Sequence, residues 1–163
     1  MFTRDECKSI IDLSLHLPIK STDGEYKNDP SINFTNWDIR EDENTRWIYN
    51  RMLDFFSEKT GIQIETRPVG IGMLRYSVGD GFRRHSDTNF QGRAWNVGVN
   101  LNSEYEGGDF ILYNPEIILP KIPGEIYCFE SSREHEIKKI TKGTRWSLIL
   151  FIWGSHLSKK KFL

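Results

Sequence analysis

The chain has 163 residues, 22 of them basic and 23 acidic, for a net charge of −1. That length fits one domain whose core can form without disulfides or a structural metal. The near-neutral charge argues against a sequence-independent nucleic-acid binder, and the lack of any run near ~18 apolar residues argues against a membrane span.

In chain order, Thr3 and Glu6 have the spacing of a helix capping box. Cys7, Ile10, Ile11 and Leu15 then recur at helical intervals until Pro18 stops the helix. Residues 1–15 lack the apolar core of a signal peptide. Cys7 and Cys128 are a poor disulfide framework, so a reducing, cytoplasmic setting is expected. Residues 20–42 are polar and turn-rich, with room for short strand pieces, and are a candidate lid. The lid aromatics Tyr26, Phe34 and Trp37 can pack on a peptide or ring substrate or anchor the loop on the core, and the second use is favoured.

Residues 43–60 predict a second helix, with Ile48, Met52, Phe55 and Phe56 on one face, Trp47 beside them and Gly61 as its stop. Beyond Gly61 the pattern changes to short β-branched and aromatic runs between Gly, Asn, Asp and Pro. These predict strands near Ile62–Thr66, Gly70–Ser77, Ala94–Leu101, Asp109–Tyr113, Ile117–Leu119, Glu125–Phe129, Glu136–Ile140 and Arg145–Trp153. The expected class is mainly β with N-terminal helices, a sandwich or barrel with the jelly roll among the options. The basic end, Ser158–Leu163, reads as a frayed, solvated terminus.

His85-Ser86-Asp87 is the leading chemical motif, because residues two apart in extended backbone point to the same side. Alone it is weak, since such a triplet arises by chance in ~20–25% of chains of this make-up. His135, before the strand Glu136–Ile140, supplies a second imidazole, and two imidazoles with one carboxylate suit non-haem iron(II). A hairpin Glu136–Ile140, turn Thr141–Gly143, strand Arg145–Trp153 would put Arg145 and Ser147 on a face with Ile149 and Phe151. An arginine on that apolar face needs an anion, either a bidentate carboxylate ligand or an internal Asp or Glu. Arg83, Arg84 and Arg93 lie near the motif and could meet an anionic substrate, with solvation at least as good a reading for Arg83 and Arg84.

The spacing Tyr76…His85-x-Asp87…His135…Arg145-x-Ser147 resembles the iron(II)/2-oxoglutarate dioxygenase superfamily, in particular its prolyl 4-hydroxylase-like branch. The segments Leu74–Phe82, Arg93–Asn102, Glu106–Phe110 and Pro123–Phe129 also look like the family's, so the resemblance covers roughly residues 70–153. It implies a double-stranded β-helix of about eight core strands. It places iron(II) on His85, Asp87 and His135, and the distal carboxylate of 2-oxoglutarate on Arg145, with help from Tyr76 and Ser147. O2 is the further cosubstrate, and ascorbate an optional addition. Many members of the branch carry Lys where this chain has Arg145, which leaves cosubstrate binding intact and weakens the tie to true prolyl hydroxylases.

The expected organisation is one oxygenase domain over 1–163: helical support and lid over 1–61, jelly-roll core over 62–154, and a short basic tail over 155–163. The expected reaction is hydroxylation of a C–H bond, of a prolyl or other peptidyl residue first, with release of succinate and CO2. A free amino acid or other small metabolite is the second substrate class. The rival readings are a non-catalytic metal-binding jelly-roll module, a zinc hydrolase on the same ligands, and a nucleobase-repair oxygenase. Arg145 weighs against the first two, and the neutral charge against the third.

Overall fold

A computed structural model of the protein describes residues 1–20, 29, 31–68, 70–88 and 92–158. Thr3 and Glu6 form the capping box of α1 (Arg4–Leu15): the Thr3 hydroxyl accepts from the Glu6 N–H, and the Glu6 carboxylate accepts from the Thr3 N–H. α1 buries Cys7 and Ile10. β1 (Ile19–Lys20), β2 (Ile32–Asn33) and β3 (Thr35–Ile39) follow. α2 (Arg46–Thr60) then buries Ile48, Tyr49, Met52, Leu53 and Phe56, a wider stripe than the expected face, and Gly61 ends it in the left-handed region at φ 73°.

The rest is β: β4 (Ile71–Tyr76), β5 (Gly81–His85), β6 (Arg93–Asn100), β7 (Tyr105–Gly107), β8 (Phe110–Leu112), β9 (Ile117–Ile118), β10 (Ile126–Glu130), β11 (His135–Ile137), β12 (Ile140–Gly143) and β13 (Arg145–Trp153). They form a larger sheet in the order β1-β3-β4-β13-β6-β10, a smaller one in the order β2-β5-β11-β8-β9, and a β7–β12 ribbon. All pairings are antiparallel among the described residues. This is the jelly roll, a double-stranded β-helix, with more strands than the eight expected.

Alternation along the larger sheet gives its two faces different work. On β13, Leu148, Leu150 and Ile152 are fully buried in the core shared with α1 and α2, as are Ile71 and Met73 of β4 and Val97 and Val99 of β6. The opposite face of β13 carries Arg145, Ser147, Ile149 and Phe151, which line a cavity of about 640 Å³.

Several expected elements differ. Ile62–Thr66 forms no strand; Ile64 makes one isolated bridge to Leu157, and Glu65 and Thr66 donate to the His156 carbonyl. The segment is β-branched, but its pairing is confined to the chain end it meets, outside either sheet. The expected hairpin joining Glu136–Ile140 to Arg145–Trp153 does not exist. β11 pairs with β5 and β8 in the smaller sheet, whereas β13 pairs with β4 and β6 in the larger one. The expected turn Thr141–Gly143 is part of β12, paired with β7. Strands β5 and β7 are not among the expected strands; Gly81 opens the one and Gly107 closes the other.

Of the candidate lid, residues 32–39 are built into the sheets, and Trp37, 3% exposed, packs in the helix-facing core with its ring 5.7 Å from that of Trp146. Phe34 anchors locally, its ring 5.5 Å from that of Tyr76. Tyr26 and most of the basic tail lie outside the described residues.

Candidate active site

His85 ends β5 and His135 begins β11, and the two are register partners. Cross-strand partners project from the same face, so the imidazoles lie side by side, with ring centroids 4.2 Å apart. Asp87 stands two residues beyond His85, and its N–H donates to the Ser131 carbonyl (2.8 Å) in the turn before β11. Its Oδ1 lies 3.5 Å from His85 Nε2 and its Oδ2 lies 3.5 Å from His135 Nε2. One ligand atom from each of the three residues falls within 4.8 Å of the others.

Each histidine places Nδ1 against the carbonyl two residues earlier: His85 on Arg83 at 2.7 Å, His135 on Arg133 at 2.9 Å. A carbonyl can only accept, so Nδ1 carries the proton and Nε2 keeps its lone pair toward Asp87. Burial lowers the pKa of His135, as does the neighbouring His85, and this keeps it neutral. Burial works against the charge of Asp87, but the nearness of the His85 and His135 imidazoles and a hydrogen bond from Asn96 hold its carboxyl below the usual range. Two imidazoles and one carboxylate fit a divalent first-row metal such as iron(II).

The ring of Phe82 stacks on His85 at 3.8 Å, and that of Phe129 meets His135 edge-on at 4.9 Å. Asn96 of β6 donates to Asp87 Oδ2 (2.6 Å) and accepts from the Ser131 hydroxyl (3.1 Å). The Asp87 carboxylate is thereby oriented through two further side chains.

Arg145 opens β13 opposite Tyr76 and is 2% exposed. It donates from Nη1 to the Ser147 hydroxyl (2.9 Å), while its Nε is buried without a hydrogen-bond partner. No carboxylate of the described residues pairs with it. Its guanidinium lies 5.5 Å from the Tyr76 ring centre and 5.8 Å from that of Phe110. A buried, unpaired cation is costly, so this end of the cavity suits a carboxylate.

His85, Asp87, His135, Tyr76, Arg145 and Ser147 thus line one cavity. Arg83 and Arg84 do not join them: they pair on the surface with Asp29 and Glu134. Arg93 does, with its guanidinium 3.5 Å from the Phe151 ring centre and Nη1 3.6 Å from Asp87 Oδ1. Sequence reasoning missed Asn96, Ser131 and Tyr127. The signal for Asn96 was present: an amide between the apolar neighbours Trp95 and Val97 of a strand must find a partner when buried.

A family model described as the 2OG-Fe(II) oxygenase superfamily matches residues 71–153. The chain belongs to that superfamily. No curated protein is matched by sequence. Among solved structures, this oxygenase is similar to an oxidoreductase of the 2OG-Fe(II) oxygenase family from Burkholderia pseudomallei. The TM-score is 0.74 at 16% identity, over 98% of this chain and 84% of that one. It is also similar to a prolyl hydroxylase from Trichoplax adhaerens, solved with a hypoxia inducible factor oxygen degradation domain peptide fragment. There the TM-score is 0.76 at 19% identity, over 92% of this chain and 79% of that one. A prolyl-4-hydroxylase from Pseudomonas putida gives 0.71 at 15% identity, over 93% and 88% of the two chains. At these identities the likeness is one of fold. Membership of the superfamily implies iron(II), 2-oxoglutarate and O2, and the His85, Asp87 and His135 cluster fits the metal. No helix among the described residues is long and apolar enough to cross a membrane.

Proposed function

We propose that this oxygenase hydroxylates a peptidyl residue, proline foremost, with iron(II) on His85, Asp87 and His135 and the distal carboxylate of 2-oxoglutarate on Arg145. The observation that carries the reading is the pairing, in one cavity, of three converging ligand atoms with a buried guanidinium that has no carboxylate partner among the described residues. Peptide as substrate is supported by the likeness in fold to prolyl hydroxylases, one of them solved with a peptide.

Iron(II), when bound, supplies O2 activation coupled to oxidative decarboxylation of the keto acid. The protein supplies position and charge. Asp87 and Arg145 offset the charges of the metal and the dianion, as a largely closed site requires. Ser147 accepts from one edge of the guanidinium, and the Tyr76 ring lies against it as a cation–π platform. Phe82 and Phe129, packed on the two histidines, keep water from the ligand side chains.

The test is an anaerobic titration with iron(II) and 2-oxoglutarate, followed by the visible charge-transfer band of the chelate, and then succinate release with prolyl peptides. A saturable band that needs both components and is lost in His135→Ala is the expected result. Tight zinc binding without such a band would remove the basis for the reaction. Succinate release driven by free proline and not by prolyl peptides would replace the peptide with a small metabolite.

A further inference from the structure

Gly98 and Tyr127 are register partners across β6 and β10. Asn96, two residues before Gly98, faces the cavity, so the alternation of β6 places position 98 on that face as well. A Cβ on Gly98 would overlap the Tyr127 ring at Cζ, Cε2 and the hydroxyl. The ring therefore lies flat across its own partner residue, in the space a side chain at 98 would occupy, and points from β10 over β6 toward β13. It meets Phe110 edge-on at 5.3 Å and runs nearly parallel to Phe129 at 6.4 Å, which fixes its orientation.

That path brings the Tyr127 hydroxyl near Arg145, whose positive charge acts on the phenol. Burial outweighs it and raises the Tyr127 pKa, so the phenol keeps its proton at neutral pH. Arg145 can only donate. The phenol oxygen can therefore accept from the guanidinium while its O–H remains to donate to an anion in the cavity. The Nε of Arg145 is buried there without a hydrogen-bond partner. Three donor groups, Arg145, Ser147 and Tyr127, thus converge where a single carboxylate would sit, and the Tyr127 ring walls the pocket beside them.

We propose that Tyr127, folded across Gly98, is the chain-length determinant of the keto-acid pocket. Its hydroxyl donates to the distal carboxylate that Arg145 meets, and its ring occupies the space a longer dicarboxylate needs. The proposal rests on the 2-oxoglutarate reading above. It concerns a residue outside the metal ligands, and Gly98 and Tyr127 act as a pair: either one alone loses the arrangement.

The experiment is anaerobic binding of 2-oxoglutarate and of the one-carbon-longer 2-oxoadipate to the iron(II)-loaded protein, read by the charge-transfer band and by calorimetry. The wild type is expected to favour 2-oxoglutarate by at least about tenfold. Tyr127→Phe keeps the ring and loses the hydroxyl, so 2-oxoglutarate should bind about tenfold more weakly with the preference for the shorter acid retained. Tyr127→Ala, and Gly98→Ala by displacing the ring, should narrow or invert that preference. If Tyr127→Phe binds 2-oxoglutarate as the wild type does and Tyr127→Ala still rejects 2-oxoadipate, the assignment of Tyr127 is overturned while the oxygenase reading stands. If the wild type gives no chelate with either acid, the oxygenase reading falls and the proposal with it.

Discussion

His85 and His135 are oriented in the same way, each by a carbonyl two residues back along the chain. That local device leaves Asp87 as the member of the cluster that depends on distant residues, through Asn96 and Ser131. Asp87→Ala should abolish iron-dependent turnover, and full activity in that variant would sink the metal assignment. Asn96→Ala should keep the fold and weaken iron(II) binding by ~10–100-fold, measured by anaerobic titration. Affinity equal to wild type would mean that the backbone alone orients Asp87. The buried Cys7 is a second residue-scale case. Burial raises its pKa from 9.0 to about 11, so in the folded state it keeps its proton over a range where the unfolded chain has lost it. Between those values the unfolded state binds fewer protons than the native one, so Cys7 makes stability fall as pH rises through the window. Urea unfolding across pH 9 to 11 should show a shallower decline in Cys7→Ala than in wild type, and Tyr49, raised from 10.0 to about 12, supplies a similar slope in both.

At the scale of elements, α1 was legible because its signals are local. The capping box, the Cys7 and Ile10 part of the stripe and the stop all lie within one stretch of chain and formed, whereas Leu15 at the end of the expected stripe is 50% exposed. Thr3→Ala should cost ~1 kcal/mol in urea unfolding, since the Glu6 N–H loses its hydroxyl acceptor while the Thr3 N–H keeps its bond to the Glu6 carboxylate. A loss below a few tenths would show that the Phe2 N–H bond to the Gly124 carbonyl holds the helix start without the cap. β13 was legible for the same kind of reason: its period-2 pattern is strong, and Arg145 and Ser147 share a face as expected. Its partners were not legible. A glycine-containing turn after an alternating run looks the same whether the chain doubles back or crosses to the other sheet, and here it crosses. The double-glycine turn after β7 hid a strand for the related reason that Gly107 and Gly108 both have positive φ.

At the scale of the whole molecule, the larger sheet separates a helix-backed core on one side from the cavity on the other. Changes on the two sides should therefore be separable. Phe56→Ala, deep in the helix-facing core, should cost ~3–5 kcal/mol by urea unfolding. At temperatures where the variant remains folded, the chelate band should keep its position. A shifted band would show that the helices hold the site's geometry as well as its stability. Metal binding should also stabilise the fold, because the three ligands come from two separated stretches of chain. At iron(II) or zinc a hundredfold above its Kd the gain is ~2.7 kcal/mol. Chelator should lower Tm in wild type and leave His135→Ala unchanged.

The sequence by itself determined the class of the fold and both helices, through local periodicity and caps, and its resemblance to the superfamily pointed to six of the residues that line the cavity. Tertiary structure alone decided three further things. It placed His135 beside His85 by pairing β11 with β5, a contact between residues fifty positions apart that no local pattern encodes. It turned residues 32–39 from lid into sheet, because β4 and β5 offered them open edges to pair with. And it laid Tyr127 over Gly98, where a missing side chain on one strand becomes the seat of a ring from the next, visible only once the register is set.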